Sequence, residues 1–277
     1  NDHALAPVVA VMLILAIGVT VFAVYNSTYL PGLKEQAEVE HMKEVESGFA
    51  KFSSDIDNAI ASGKSDIIYS EQIPLGGGDI LVNSMKSSGT IRVRNESLGI
   101  LYINYSTGSS VPISLSLVNI SYEPLGNYWL NQSYIWQEGY VNVVKNDLKR
   151  STPLQYDNGT IDDTYFQRDL NQFSEDLISP SGTTPTNITL QIIRIIAGTN
   201  NITSSNGIAK LSLKTDSYYL IPTDNPIQNV TDISFNQIET DPGLDSGFVD
   251  DINDSIPHFS PPNNVSVRII EITVGVN

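Results

Sequence analysis

Eleven asparagines stand two residues ahead of a serine or threonine: Asn26, Asn95, Asn104, Asn119, Asn131, Asn158, Asn187, Asn201, Asn229, Asn253 and Asn264. Random placement of the same residues gives about four such tripeptides. The chemistry they support is attachment of an oligosaccharide to the side-chain amide, which requires exposure outside the cell. Ten are read as N-linked glycan sites. Asn26 is left out, because it adjoins a helix that must be packed and has no room for a sugar.

Other chemistry is thinly represented. The chain has no cysteine, so disulfides, thiolate catalysis and Cys-ligated zinc are excluded. Its three histidines are His3, His41 and His258, too dispersed for a metal site, and no nucleophile–His–acid arrangement is visible, which argues against a hydrolase. His41 reads as a packing or solvated residue. TDPGLDSGFVDDIND (Thr240–Asp254) holds five acids, but its spacing departs from the EF-hand pattern and a bidentate Glu is missing, so it reads as a solvated acidic loop. YWLNQSYIWQEGY (Tyr128–Tyr140) carries both tryptophans; it reads as core filling, with stacking on sugars as the alternative. Gly76-Gly77-Gly78 lacks the Lys-Ser/Thr of a phosphate loop and reads as a turn. No catalytic residue, metal or cofactor is expected beyond the glycans. Net charge is −16 with no basic patch, which speaks against nucleic acid as a partner.

Glycan acceptors need a folded scaffold on the outer side of a membrane, and the remaining sequence describes one. Residues 64–277 hold short stretches rich in Ile, Val and Tyr between turn residues. Strands are expected at Ile67–Ser70, Ile80–Val82, Thr90–Val93, Ile100–Tyr105, Val111–Tyr122, Tyr140–Val144, Ile188–Ala197, Ile208–Lys214, Ser217–Leu220 and Val265–Val276, the last in the centre of a sheet. An antiparallel, sandwich-like domain follows from this pattern. A helical insert is expected near 163–178, from Phe166, Leu170, Phe173 and Leu177 on one face.

Residues 1–63 have a different character. From Ala4 to Leu33 there is no charged residue and no His. Ala4–Tyr25 as a helix spans about 33 Å, close to the ~30 Å of a bilayer's hydrocarbon core. Pro7 falls in the first turn, where its missing N–H costs little, and Gly18 permits close approach of a neighbouring backbone. The tract as a whole is apolar on all sides of this helix, and Ala4, Pro7, Val8, Val11, Met12, Leu15, Gly18, Val19, Phe22 and Tyr25 are read as the residues that would pack in a polymer. Beyond it, Met42, Val45, Phe49, Phe52, Ile56 and Ile60 recur at spacings of three and four and form one stripe on an otherwise polar helix. Pro31 between the two predicts a kink or short melted turn. The whole is an α+β chain: a long N-terminal helix over 1–63, apolar and then amphipathic, followed by a β-rich domain over 64–277. The apolar tract suits a transmembrane anchor, an uncut signal peptide, or a helix buried by other copies of the chain.

ALAPVVAVMLILAIGVTVFAV, PGLKEQAEVEHMKEVESGF and YWLNQSYIWQEGY together resemble archaeal type IV pilins that have a large β-rich outer region. The resemblance covers residues 1–60 most clearly. It implies a prepilin whose leader is cut just before Asn1, storage in the cytoplasmic membrane, and helical polymerisation with copies of itself into an extracellular filament. Adhesion through the exposed β domain is the use expected of such a fibre, with motility and DNA uptake as alternatives. The partners it implies are a prepilin peptidase, an assembly ATPase and a membrane platform protein. Bacterial pilins place a Glu at the fifth mature position; here Leu5 stands there, leaving Asp2 as the acid able to meet a neighbour's terminal amine.

Overall fold

The computed structural model describes residues 5–77, 87–127, 130, 132–145, 152–153, 172–183, 187–237, 246–256 and 263–277. Asn1, Ala4, Asn131, Asn158, the expected strand Ile80–Val82 and most of the expected helical insert lie outside the described residues.

A single continuous helix leads the chain. Helix α1 (Leu5–Val24) enters a π-helical turn (Tyr25–Tyr29) and continues as α2 (Leu30–Ser62), a rod of about 85 Å. The break expected at Pro31 takes the form of this π-turn, and no segment melts. A proline ring clashes with the carbonyl four residues earlier and supplies no N–H. Widening the turn accommodates both, because the Leu30 N–H bonds to the Tyr25 carbonyl five residues back while Leu30 keeps helical dihedrals. The rod ends at Gly63, whose φ of 56° is the left-handed conformation that glycine adopts without a Cβ penalty.

The remaining elements are β1 (Ile68–Pro74), β2 (Ser88–Tyr105), β3 (Ser110–Leu125), β4 (Gln132–Gln137), β5 (Tyr140–Lys145), β6 (Thr152–Pro153), a short helix α3 (172–177), β7 (Ile178–Thr183), β8 (Asn187–Ala197), β9 (Ile202–Ser205), β10 (Ile208–Ile221), β11 (Ile227–Gln237), α4 (Ser246–Ser255) and β12 (Asn263–Val276). Hydrogen bonds join the twelve strands in one sheet, ordered β1-β10-β12-β11-β2-β3-β4-β5-β6, with β8 on the other edge of β12, β7 on β8, and β9 on β2. All pairs are antiparallel except one. β8 runs parallel to β12 over eleven residues, from Asn187 opposite Asn264 to Ala197 opposite Val274. β12 is thus bonded along both edges and buried on both faces, as the Val265, Val267, Ile269, Ile270, Ile272 and Val274 side chains show. β8 also lies against β3 with no ladder bond between them, so the sheet curls over on itself.

Several boundaries differ from the sequence expectation. Thr90–Val93 and Ile100–Tyr105 are parts of one 18-residue strand, β2, which passes through a bulge between Ser97 and Gly99. A bulge shifts the side-chain alternation by one and so interrupts the period-2 signal. Ile208–Lys214 and Ser217–Leu220 likewise form one strand, β10. Strand β4 lies inside the aromatic stretch and turns into β5 through Glu138 and Gly139, with φ of 54° and 89°, a two-residue hairpin of left-handed residues. A Cβ on Gly139 would stand 2.7 Å from the Phe173 ring, so no other residue fits that turn. The solvated acidic loop expected at Thr240–Asp254 is partly helical: α4 occupies Ser246–Ser255 and buries Phe248 and Ile252, with Ile256 just beyond its end. Three apolar residues spaced by four outweigh the surrounding acids. Of the expected helical insert the described residues 172–177 are helical, with Phe173 and Leu177 buried, and Pro180 belongs to β7 opposite Leu190.

Candidate functional site

The surface that most needs explanation is α1. Every residue from Val8 to Val24 is exposed, on all sides of the helix, and the large apolar side chains among them range from 51% exposed at Val8 to 71% at Ile14. Val11, Met12, Leu15, Val19 and Phe22 all lie in this bare stretch, and Gly18 has open space around the position a Cβ would take. Pro7 is helical. The polar groups of the tract are turned back on the helix itself: Thr20 Oγ1 donates to the Ala16 carbonyl at 2.7 Å, and Asn26 Nδ2 to the Phe22 carbonyl at 2.9 Å. Such back-bonding leaves few polar groups in need of water, which is the condition for residence in lipid or in a dry helical bundle. At the far end, Tyr25 and Tyr29 pack ring to ring with centroids 5.4 Å apart, and Lys34 brings the first charge. Aromatics followed by a charge are the usual signature of a membrane–water boundary. The apolar helix is long enough to cross a membrane.

Helix α2 is held against the sheet along one side only. Met42, Val45, Phe49, Phe52, Ile56, Ala59 and Ile60 are buried, and Gly32, Glu40, Lys43, Glu44, Ser47, Lys51, Ser54, Asp57 and Asn58 face out. The first buried residue is Glu38, so the folded domain begins about 13 Å beyond Tyr29.

Polar bonds fix this seam in register. Trp136 Nε1 donates to Ser53 Oγ at 3.1 Å. The Tyr134 hydroxyl accepts from Gln132 Nε2 at 2.6 Å and lies within donating reach of the Met42 carbonyl, 3.1 Å, and Glu46 Oε2, 3.0 Å. Burial and then the Glu46 carboxylate push the Tyr134 phenol well above its ordinary range, so it stays a neutral donor. Both side chains are fully buried, which places Tyr134 and Trp136 of the aromatic stretch in the core; Tyr128 and Trp129 lie outside the described residues. Trp136 meets Phe173 edge-on, and Phe173 stacks on Phe248, each pair 6.1 Å apart, tying α3 and α4 to the same core. At the top of the rod, Arg268 of β12 donates to the Gly63 carbonyl and to Ser217 Oγ. That sets a cation at a helix C-terminus, the favourable end for positive charge.

His41 is 4% exposed and packs edge-on to Tyr122. Its Nε2 lies 3.0 Å from the Pro74 carbonyl, which can only accept, so Nε2–H donates there, and Nδ1 is buried with no hydrogen-bond partner among the described residues. A second polar feature on α2 is Asp57, whose carboxyl is raised to about 6 by desolvation and, second, by the Asp176 charge. An open cleft of about 440 Å³ lies between α2 and β1, lined by charges of both signs including Glu40, Lys43, Glu44, Lys51 and Glu71. Among the described residues no group of three or more His, Asp or Glu could hold a metal ion.

Among the described residues the sequons fall on strands, on the loop before β9 at Asn201, and on helical segments at Asn26 and Asn253. Asn95, Asn187, Asn201, Asn229 and Asn253 are exposed, while Asn104, Asn119 and Asn264 are half-buried. Asn95 Oδ1 accepts from the Ala197 N–H at 2.6 Å and so stitches β2 to the end of β8.

No protein-family model matches the chain, and no curated protein or solved structure matches it.

Proposed function

We propose that the chain is the structural subunit of an extracellular, type IV pilus-like filament. Copies pool their α1 helices in a dry central bundle and carry a glycosylated, sandwich-like β domain on the outside, where it serves adhesion. Before assembly the same helix holds the subunit in the cytoplasmic membrane, and peptidase, ATPase and platform protein act on it there. The observation that carries this reading is the all-round exposure of α1, while most other large apolar side chains among the described residues are buried. Burying apolar surface is worth about 25 cal/mol per Å², and a helix bare on every side is satisfied by lipid or by neighbours on every side. Contacts that repeat head to tail without closing generate an open helical polymer. No role in catalysis and no nucleic-acid partner is proposed.

A second reading has its own support, because α1 followed by the Tyr25–Tyr29 boundary also fits a single-pass anchor for a monomeric surface domain. Shearing cells in detergent-free buffer separates the two. Long fibres of this chain in the sedimented fraction are expected; chain that stays with the membrane and comes off only in detergent, as single particles, favours the anchor.

A further inference from the structure

We propose that the end of the β domain farthest from α1 is a glycan-bearing crown, with sugars on Asn187 and Asn229, in which Asn187 and Asn264 never both carry one. The inference rests on the extracellular placement above and extends it to particular atoms.

Four sequons meet at this end. Asn104 closes β2, Asn229 opens β11, Asn264 opens β12 and Asn187 opens β8, and the strands lie side by side in the order β2-β11-β12-β8. Their height follows from Arg268, which reaches the Gly63 carbonyl at the top of the rod. Asn264 lies four residues further toward the start of β12, about 13 Å beyond that contact. The opposite end of β12 pairs with Leu211, on the part of β10 that leads down to Pro74 and His41, low on α2. The four asparagines therefore stand at the outermost end, away from membrane or filament axis.

The four differ in how enclosed they are. Asn104 Nδ2 donates to Ser234 Oγ at 3.1 Å, and Asn264 Nδ2 donates to Asn187 Oδ1 at 2.9 Å. Both residues are half-buried, and Ser266, the hydroxyl residue of the Asn264 sequon, is buried. Asn187 and Asn229 are exposed, Asn229 at the irregularity near the start of β11 with φ of 56°. Attachment forms a bond from Nδ2 to the anomeric carbon of a lipid-phosphate-activated oligosaccharide. The carbon–oxygen bond to phosphate breaks, the lipid phosphate leaves with the electron pair, and Nδ2 gives up one proton. Asn187 and Asn264 are direct ladder partners, so their Cα atoms are about 4.8 Å apart. Two branched sugars cannot start from points that close on one face.

Glycopeptide mass spectrometry on protein from its native cells tests this, with N187Q and N264Q variants checked for folding by circular dichroism. Sugar is expected at Asn187 and Asn229, with fractional occupancies at Asn187 and Asn264 that never sum above one. N264Q leaves the Asn187 glycan in place, and N187Q removes it. Occupancies on the pair that sum well above one, sugar on Asn104 or Asn264 with Asn187 bare, or a crown without sugar would each overturn the inference. Fibres with a bare crown sink this inference alone, whereas a sugared crown on a chain that never forms fibres sinks the filament reading and leaves the crown standing.

Discussion

The two halves of the leading helix share one backbone and face opposite problems. Among the described residues the large apolar side chains of α1 are exposed on every side, whereas the stripe of α2 from Met42 to Ile60 points one way and is buried. The comparison separates folding from assembly. The stripe of α2 belongs to the stability of the monomer, since removing it would open the sheet's own core. The apolar side chains of α1 stay exposed and add no buried core to the described fold. The π-turn and Pro31 sit at the join, where one kind of packing gives way to the other.

The sharpest way to break this contrast is to charge α1. Leu15→Arg places a cation at the middle of the tract, at a cost of about 3 kcal/mol per helix in a bilayer and more in a dry bundle. We expect fibres to be lost by electron microscopy while the circular dichroism of the β domain is unchanged. Fibres of normal length would show that α1 is not the assembly surface. Next in size is a matched truncation. Phe49→Ala should cost about 3–5 kcal/mol in denaturant unfolding, because Phe49 is fully buried against the sheet. Leu15→Ala should change the same measurement by less than about 0.5 kcal/mol, because its side chain touches no part of the fold. Equal effects would erase the distinction between the halves.

Smaller substitutions sharpen the picture of the seam. Tyr134→Phe removes a hydroxyl that serves Met42, Glu46 and Gln132, and should lower stability by about 1–2 kcal/mol. The smallest effect concerns Asp57. Its folded pKa is raised to about 6 from an ordinary value near 3.8, so the folded chain holds a proton that the unfolded chain releases. Stability from this group is therefore full below about pH 4 and declines as pH rises through 6. Asp57→Asn should flatten thermal stability between pH 4 and 6 and raise it slightly at pH 7, by less than about 1 kcal/mol given the solvent screening of an exposed side chain.

The sequence makes some of this visible and hides the rest for physical reasons. An α+β chain with a long apolar helix is legible because absence of charge over thirty residues and a change of period from 3.6 to 2 are both local signals. Strand β2 splits in two because its bulge shifts the alternation. Strand β11 is missed because Ile227, Val230, Ile233 and Phe235 do not keep a single alternation, and its register against both β12 and β2 shifts. The acids around Phe248 and Ile252 mask α4. The parallel pairing of β8 with β12 has no local signature, since partners seventy-seven positions apart meet only in the folded sheet. The same is true of the Trp136–Ser53 and Arg268–Gly63 bonds, which depend on where the helix comes to rest.

Reconstruction of detergent-free fibres by electron cryomicroscopy is the most direct test of the account. It predicts residues 8–24 of neighbouring copies packed together in a central bundle, with the β domains outside and their Asn187 ends outermost. Fibres held together by β domains with α1 apart and in water, or detergent-free material made only of single chains, would contradict it.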